Sequence, residues 1–382
     1  MGAPARLGGD PQSAAPRRYP ESAAPSPEPS TPRATPPTRV SRGMLFAVLV
    51  LAAVLLPTIY VVWASGRDRG TAAPGPSGTA VVVATPGANG SAPGSAEPRL
   101  GDEAQMLFQH VARDATGYAR LAFAPLDDPN GPRTVTDLTC ERVHAAAGQG
   151  LCLVPEGGLV TRYWAVLFGD DFKERTRIEL GGSPSRARVS GDGRYGATTV
   201  FQFGHSYADA AFSTQTTIID MAAGTVIDEL EQFTAYRDGT AIHAPDFNYW
   251  GVTFAADSNV FYSTLRTAGQ TYLVKGDIAA REVRVVRDNV ECPSLSPDGT
   301  RVAFKKLVGG PGAWRFSVLD LATMEETQLA EPESIDDQLE WLDDDRVLYG
   351  KAGGLWAVPS DGSGAPELVA ADALSPAVVR GP

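Results

Sequence analysis

From about residue 101 the chain alternates apolar and polar positions in short β-branched and aromatic runs, each bounded by turn residues. That is the two-residue period of half-buried strands and not the 3.6-residue period of a helix. The clearest unit is SLSPDGTRVAF at 294–304. Pro sets φ, Asp bonds the backbone ahead of it and Gly accepts positive φ, so two strands should flank a tight turn. The unit recurs as RVSGDGRYGATTVF with Asp192, TFAADSNVFYSTL with Asp257 and EWLDDDRVLYG with Asp343, alongside Asp298 of the master stretch. Successive turn aspartates lie 65, 41 and 45 residues apart, and a weaker copy, RVHAAAGQGLCLV, places Ala147 another 45 residues upstream of Asp192. After each hairpin the pattern continues through two more strands, as in WRFSVLDL and ETQLAE.

Four strands repeating every forty-odd residues predict an all-β propeller. The 65-residue interval implies an excursion around 231–246. Five hairpins are clear. MLFQHVA, YARLAFAPLD and PRTVTDLT upstream supply three further strands with no inner one, and DALSPAVV near the C-terminus repeats Leu-Ser-Pro without a hairpin. The reading is a six-bladed propeller closed by both chain ends, with 373–379 as the missing inner strand; five blades is the alternative count. Closure of this kind removes exposed sheet edges.

Ahead of the repeats the pattern changes twice. Residues 44–64, MLFAVLVLAAVLLPTIYVVWA, are uncharged and at about 1.5 Å per residue match the ~30 Å hydrocarbon layer. This predicts one transmembrane helix, with Tyr60 and Trp63 at the interface; a cleaved signal peptide is the rival reading. Residues 1–43 hold ten of the thirty prolines and almost no aliphatic cluster, the composition of a disordered tail. Residues 65–100 read as a flexible Gly-, Ala-, Pro- and Ser-rich stalk, and 101–382 as the propeller. Arg33, Arg39 and Arg42 on one flank against Arg67 and Arg69 on the other favour a cytoplasmic N-terminus and a propeller outside the plasma membrane.

Charge and cysteine content narrow the function. Residues 66–382 carry 27 basic and 42 acidic side chains, which argues against nucleic acid as a partner. Three cysteines are too few for a disulfide scaffold. Cys140 and Cys152 are equidistant from Ala146, so a symmetric hairpin would set them opposite each other as a disulfide, leaving Cys292 free; two buried thiols is the competing reading.

VECPSLSPDGTRVAFKK, NYWGVTFAADSNVFYSTL and DDQLEWLDDDRVLYG resemble the TolB-like β-propellers, most of all the membrane-anchored or secreted forms of actinobacteria. The resemblance spans roughly 101–382 and is specific for architecture. It implies an extracytoplasmic propeller acting as a platform for envelope proteins. The chain departs from TolB in showing no separate α/β domain before the propeller, so a Tol-Pal partner is not carried over.

Residues that invite a catalytic reading do not form a catalytic set. The turn aspartates should be spread around the rim, whereas paired carboxyl chemistry needs about 5–10 Å. Asp343-Asp344-Asp345 lacks calcium-loop spacing. His110, His144, His205 and His243 have no second ligand at metal spacing, and no nucleophile elbow, P-loop or dinucleotide fingerprint occurs. No cofactor is implied. Aligning the hairpins through their turns places Glu141, Arg186, Trp250, Glu291, Asp336 and Asp337 where inner strands begin, at a channel mouth expected to be mainly acidic with an aromatic wall. Such a mouth suits a cationic or polar ligand, or a basic segment of a partner; a solvated ring closed by its own salt bridges is the plain alternative, and a one-residue register error would turn half of these side chains away. The expected function is a non-enzymatic binding platform for an envelope protein or a small polar ligand. The alternatives are a propeller enzyme of lactonase or sugar dehydrogenase type with a channel-bound cation, and a sensor relaying ectodomain binding.

Overall fold

The turn aspartates show why hairpins form where they do. In the computed structural model, which describes residues 99–113, 117–208 and 211–381, Asp298 Oδ1 accepts hydrogen bonds from Ser296 Oγ at 2.5 Å and from the Thr300 amide at 3.0 Å. Gly299 completes the turn with φ +72°. These hydrogen bonds hold the Asp298 carboxyl below its usual range. Asp192 takes the same role with Ser190 Oγ and the Arg194 amide, and Asp257 and Asp343 accept the amides of Val260 and Asp345. The turn aspartates are therefore structural acceptors, as their spacing implies.

Six sheets follow. From the axis outward, blade 1 is Ala373–Val379, Gln105–His110, Arg120–Pro125 and Thr134–Thr139; blade 2 is Arg142–Ala146, Gln149–Glu156, Arg162–Phe168 and Glu174–Leu180. Blade 3 is Ser183–Val189, Tyr195–Phe203, Ser213–Asp220 and Thr225–Glu229. Blade 4 begins Asn248–Phe254, Val260–Thr267, Gln270–Asp277 and Glu282–Asp288. Blade 5 is Glu291–Leu295, Arg301–Leu307, Trp314–Asp320 and Glu326–Gln328; blade 6 is Glu340–Trp341, Arg346–Lys351, Gly354–Pro359 and Glu367–Ala371. The predicted closure is present: Ala373–Val379 pairs antiparallel with Gln105–His110, setting Val379 opposite Gln105 and Ala373 opposite His110.

The excursion at 231–246 contributes two more strands to blade 4. After a 3-10 turn at Leu230–Gln232, Thr234–Arg237 runs parallel to Glu282–Asp288 and carries Thr240–Ile242 at the sheet's outer edge. The turn inserts Glu231 between blades 3 and 4, where its carboxylate accepts the Thr216 amide at 3.1 and 3.2 Å. Burial pushes this carboxyl up to about 7, against the backbone amides that favour its charged form and with Glu229 nearby. An acid raised in the fold contributes fully below its unfolded pKa near 4.5, and the contribution is lost as pH rises toward 7. Stability should therefore fall by up to about 3 kcal/mol between pH 4.5 and 7 from this group. Urea midpoints for wild type and Glu231→Gln across that range check this: the wild-type slope should be the steeper, and parallel profiles would reject the assignment.

The disulfide joins Cys140 and Cys152 as predicted, with Cα atoms 5.4 Å apart, but by another geometry. Ala146 pairs with Gln149 across a two-residue turn, Ala147-Gly148, both at positive φ, so Val143 and not Cys140 stands opposite Cys152. Cys140 instead follows blade 1's outer strand, its amide donating to Ala119 O at 2.9 Å. The bond thus ties the exit of blade 1 to the second strand of blade 2. Cys292 is free and buried.

Antiparallel order gives the propeller two unlike faces. Hairpin turns that follow the inner strands lie on one, the turn face; connections between second and third strands, and between blades, lie on the other, the loop face. The tail 1–43, the apolar run 44–64 and nearly all of the stalk 65–100 lie outside the described residues. Among the described residues no helix is long and apolar enough to cross a membrane.

Candidate functional site

Inner strands begin on the loop face, and several are bulged there. Register shifts fall between Pro184 and Arg186, between Trp250 and Thr253, and between Glu291 and Ser294. Gly251, at φ +67°, is required by close approach: a Cβ there would lie 2.7 Å from the Cα of Cys292 in the next blade. A bulge re-aims the side chains around it. Trp250 accordingly points between blades and is fully buried, stacked on Tyr207 at 4.8 Å and edge-on to Phe212 at 5.4 Å.

Tyr207 and Phe212 come from the blade 3 connection on the loop face. Tyr207 shares a 2.6 Å hydrogen bond with Ser185 Oγ and lies under the Arg186 guanidinium and the Lys305 ammonium, at 5.2 and 4.9 Å from its ring centre. Lys305, fully buried, donates to Asp336 Oδ1 at 2.5 Å; Arg186 Nη2 is 3.5 Å from the same oxygen, and Ser206 Oγ donates to Oδ2 at 3.3 Å. Burial alone would raise the Asp336 carboxyl, but Lys305 and Arg186 outweigh it and hold it below its usual range. Glu291, opposite Lys305 in the blade 5 ladder, is raised by burial, with Lys305 opposing. A 330 Å³ recess between blades 4 and 5 is lined by Tyr207, Phe212, Trp250, Arg266, Glu291 and Trp314, among others.

Deeper on the axis the channel is closed by a buried polar knot. Arg188 donates to Glu340 through Nη1 and to Ser294 Oγ through Nη2 at 3.3 Å, so one side chain of blade 3 reaches blades 5 and 6. Its Nη1 is also 3.0 Å from Nε2 of His144 in blade 2. The Val189 amide donates to His144 Nδ1 at 3.1 Å. Burial, followed by Arg188, drives the His144 pKa far down, so the imidazole is neutral and its 3.9 Å approach to Glu340 is not an ion pair. A 20 Å³ cavity lies against this knot, and a 440 Å³ vestibule on the turn face has His144, Arg188, Asp298, Glu340 and Arg380 in its wall.

The structure brings Arg186, Glu291 and Asp336 into one charged cluster with Trp250 packed beneath it. Asp337 lines the 20 Å³ cavity and accepts the Gly350 amide at 2.8 Å. Glu141 is not in that lining; its neighbour Arg142 is, donating to Ser185 O at 2.9 Å. The expected acidic mouth is neutralised, because Lys305, Arg142 and Arg186 stand among its carboxylates. Sequence reasoning missed Arg188, Glu340, Lys305 and Tyr207, and weighed His144 only as an isolated histidine. The available signal was charge inside otherwise apolar inner strands, as in Arg186-Ala187-Arg188.

Neither a protein-family model nor a curated protein matches the sequence. Among solved structures the chain is similar to TolB from Acinetobacter baumannii, at 16% identity and a TM-score of 0.50 over 73% of this chain and 67% of that one. A nidogen/laminin complex matches at 10% identity and 0.48 over 72% and 97%. The tricorn protease matches at 11% and 0.40 over 68% and 29%. The likeness to TolB bears on the fold alone, a six-bladed propeller.

Proposed function

We propose that the chain is a non-enzymatic platform that displays its propeller outside the plasma membrane, anchored through 44–64, and docks an envelope protein on the loop face. The observation that carries the reading is where large apolar side chains are left exposed. Tyr118 of blade 1, Leu159 and Val160 of blade 2, Phe203 of blade 3 and Val308 of blade 5 are 59, 107, 75, 66 and 51% exposed. All five lie at or next to connections between second and third strands, hence on one face, whereas Val226 and Ile227 on the outer strand of blade 3 and Leu368 on that of blade 6 are exposed away from it. Apolar side chains gathered on one face and rimmed by polar ones are the mark of a protein-binding surface. The recess between blades 4 and 5 opens within this region and suits an anchoring side chain of the partner.

The cation-dependent enzyme reading finds less support. It needs carboxylates converging on the channel, where Arg142, Arg186 and Arg188 stand. Among the described residues no three His, Cys, Asp or Glu side chains are grouped to hold a metal.

One experiment tests side and surface together. A membrane-impermeant crosslinker is applied to intact cells carrying the wild-type chain or Leu159→Ser/Val160→Ser. The wild type should be labelled and joined to a discrete partner; the variant should be labelled equally, melt within a degree or two of wild type and lose most of that adduct. An unlabelled propeller would overturn the orientation, and an undiminished adduct would move the contact off this face.

A further inference from the structure

Two ionisable side chains of opposite sign line the 330 Å³ recess on the loop face, and neither is matched there. Glu291 begins the inner strand of blade 5 and is only 5% exposed, yet its carboxylate accepts no hydrogen bond and its oxygens still reach solvent. Lys305, opposite it in the ladder, donates to Asp336 instead. The Trp314 indole lies close enough to favour the charged form, but its Nε1 completes no hydrogen bond. Holding a carboxylate out of bulk water without a partner is costly, so a donor entering the recess would find it unspent.

The second group is Arg266, near the end of blade 4's second strand, with its guanidinium 4.9 Å from the Phe212 ring centre. It acts on Asp246 and Glu291 through space and forms an ion pair with neither. Asp246 is already engaged by Thr267 Oγ1 and the Ala268 amide. Asp288, exposed at the end of blade 4's outer strand, adds a second carboxylate to the lining.

We propose that this recess binds a free amino acid with an apolar side chain, its ammonium group on Glu291 and Asp288 and its carboxylate on Arg266. A lone cation would be opposed by Arg266 and a lone anion by both carboxylates. A molecule carrying both charges on one carbon meets each with its complement, and arginine presents a carboxylate with paired N–H donors. The walls supply the rest. Phe212, Leu307 and Trp314 offer apolar surface to the side chain, and 330 Å³ falls within the roughly 300–1,000 Å³ of clefts that enclose small molecules. The inference goes beyond partner docking and does not rest on it, because every group it uses belongs to this chain.

The test titrates the purified full chain in detergent, by calorimetry, with L-phenylalanine and L-leucine and with the amide and N-acetyl derivatives of each. At least one amino acid should bind saturably. Its two derivatives, each having lost one charge-assisted contact, should bind about tenfold or more weakly. Glu291→Gln and Arg266→Gln, melting within a few degrees of wild type, should each weaken the amino acid by a similar factor. The variants also separate the two poles: Glu291→Gln should bind the N-acetyl derivative at least as well as wild type does, and Arg266→Gln the amide. No binding of either amino acid, derivatives that bind as tightly as their parent, or an affinity unchanged in either variant would each overturn the proposal. No partner protein is present in the titration, so these outcomes leave the docking reading untouched.

Discussion

Deletion of 373–382 should abolish cooperative unfolding of the propeller or lower its midpoint by well over 10 °C, although the deleted residues include no turn, disulfide or catalytic group. The strand Ala373–Val379 is the inner strand of blade 1 and packs in two directions. Ala377 and Val379 belong to the core shared with blade 2 around Cys140, Cys152 and Phe168. Ala373 and Val378 belong to the core shared with blade 6 around Leu348 and Leu355. At about 1.5–3 kcal/mol for each buried Val, with less for each Ala, the lost burial alone is on the order of 5 kcal/mol. A domain's whole stability is typically about 5–15 kcal/mol. The deletion also exposes the ladder edge of Gln105–His110, which invites association with other chains. Calorimetry with light scattering reads both effects. A truncated chain that melts within a few degrees of the full one would mean that closure contributes little.

The repeat was legible because its signals are local. Asp-Gly turns, period-two alternation and forty-residue spacing each act within one blade, and even the shared blade followed from counting strands. Its closing strand was found at the predicted bounds. What the sequence hid depends on departures from regular pairing. Bulges near Ser185, Gly251 and Cys292 change which way a strand's side chains face, so alignment through the turns placed Trp250 on the axis when it lies between blades. The Cys140–Cys152 pair was found through a symmetric hairpin that the Ala147-Gly148 turn does not form, so the right partners came from the wrong register. The extra strands at Thr234–Arg237 and Thr240–Ile242 escaped notice because runs so short have no period of their own. Arg188, Glu340 and His144 are 152 residues apart at most in the pairs they form, and only closure of the ring makes them neighbours.

That knot sets the second large expectation. Glu340→Ala should cost about 3–5 kcal/mol, the usual penalty for leaving one partner of a buried ion pair alone. Arg188 would keep only Ser294 Oγ at 3.3 Å and Leu339 O at 3.4 Å as hydrogen-bond acceptors, neither carrying charge. His144 cannot replace the carboxylate, because its neutral ring brings no negative charge. Arg188→Met should cost a similar amount by stranding Glu340. The double variant Arg188→Met/Glu340→Leu should recover most of the loss, since apolar residues of similar volume often replace a buried pair at little cost. The resulting double-mutant cycle measures the coupling across the axis. Urea midpoints taken in gluconate keep a small anion from standing in for the missing carboxylate. If the three variants fall by additive amounts, the pair is not coupled, and closure rests on interblade packing alone. If the double variant recovers, Arg188 is the side chain through which blades 2, 3, 5 and 6 meet at the axis, and only a ring closed in the correct order supplies its partners.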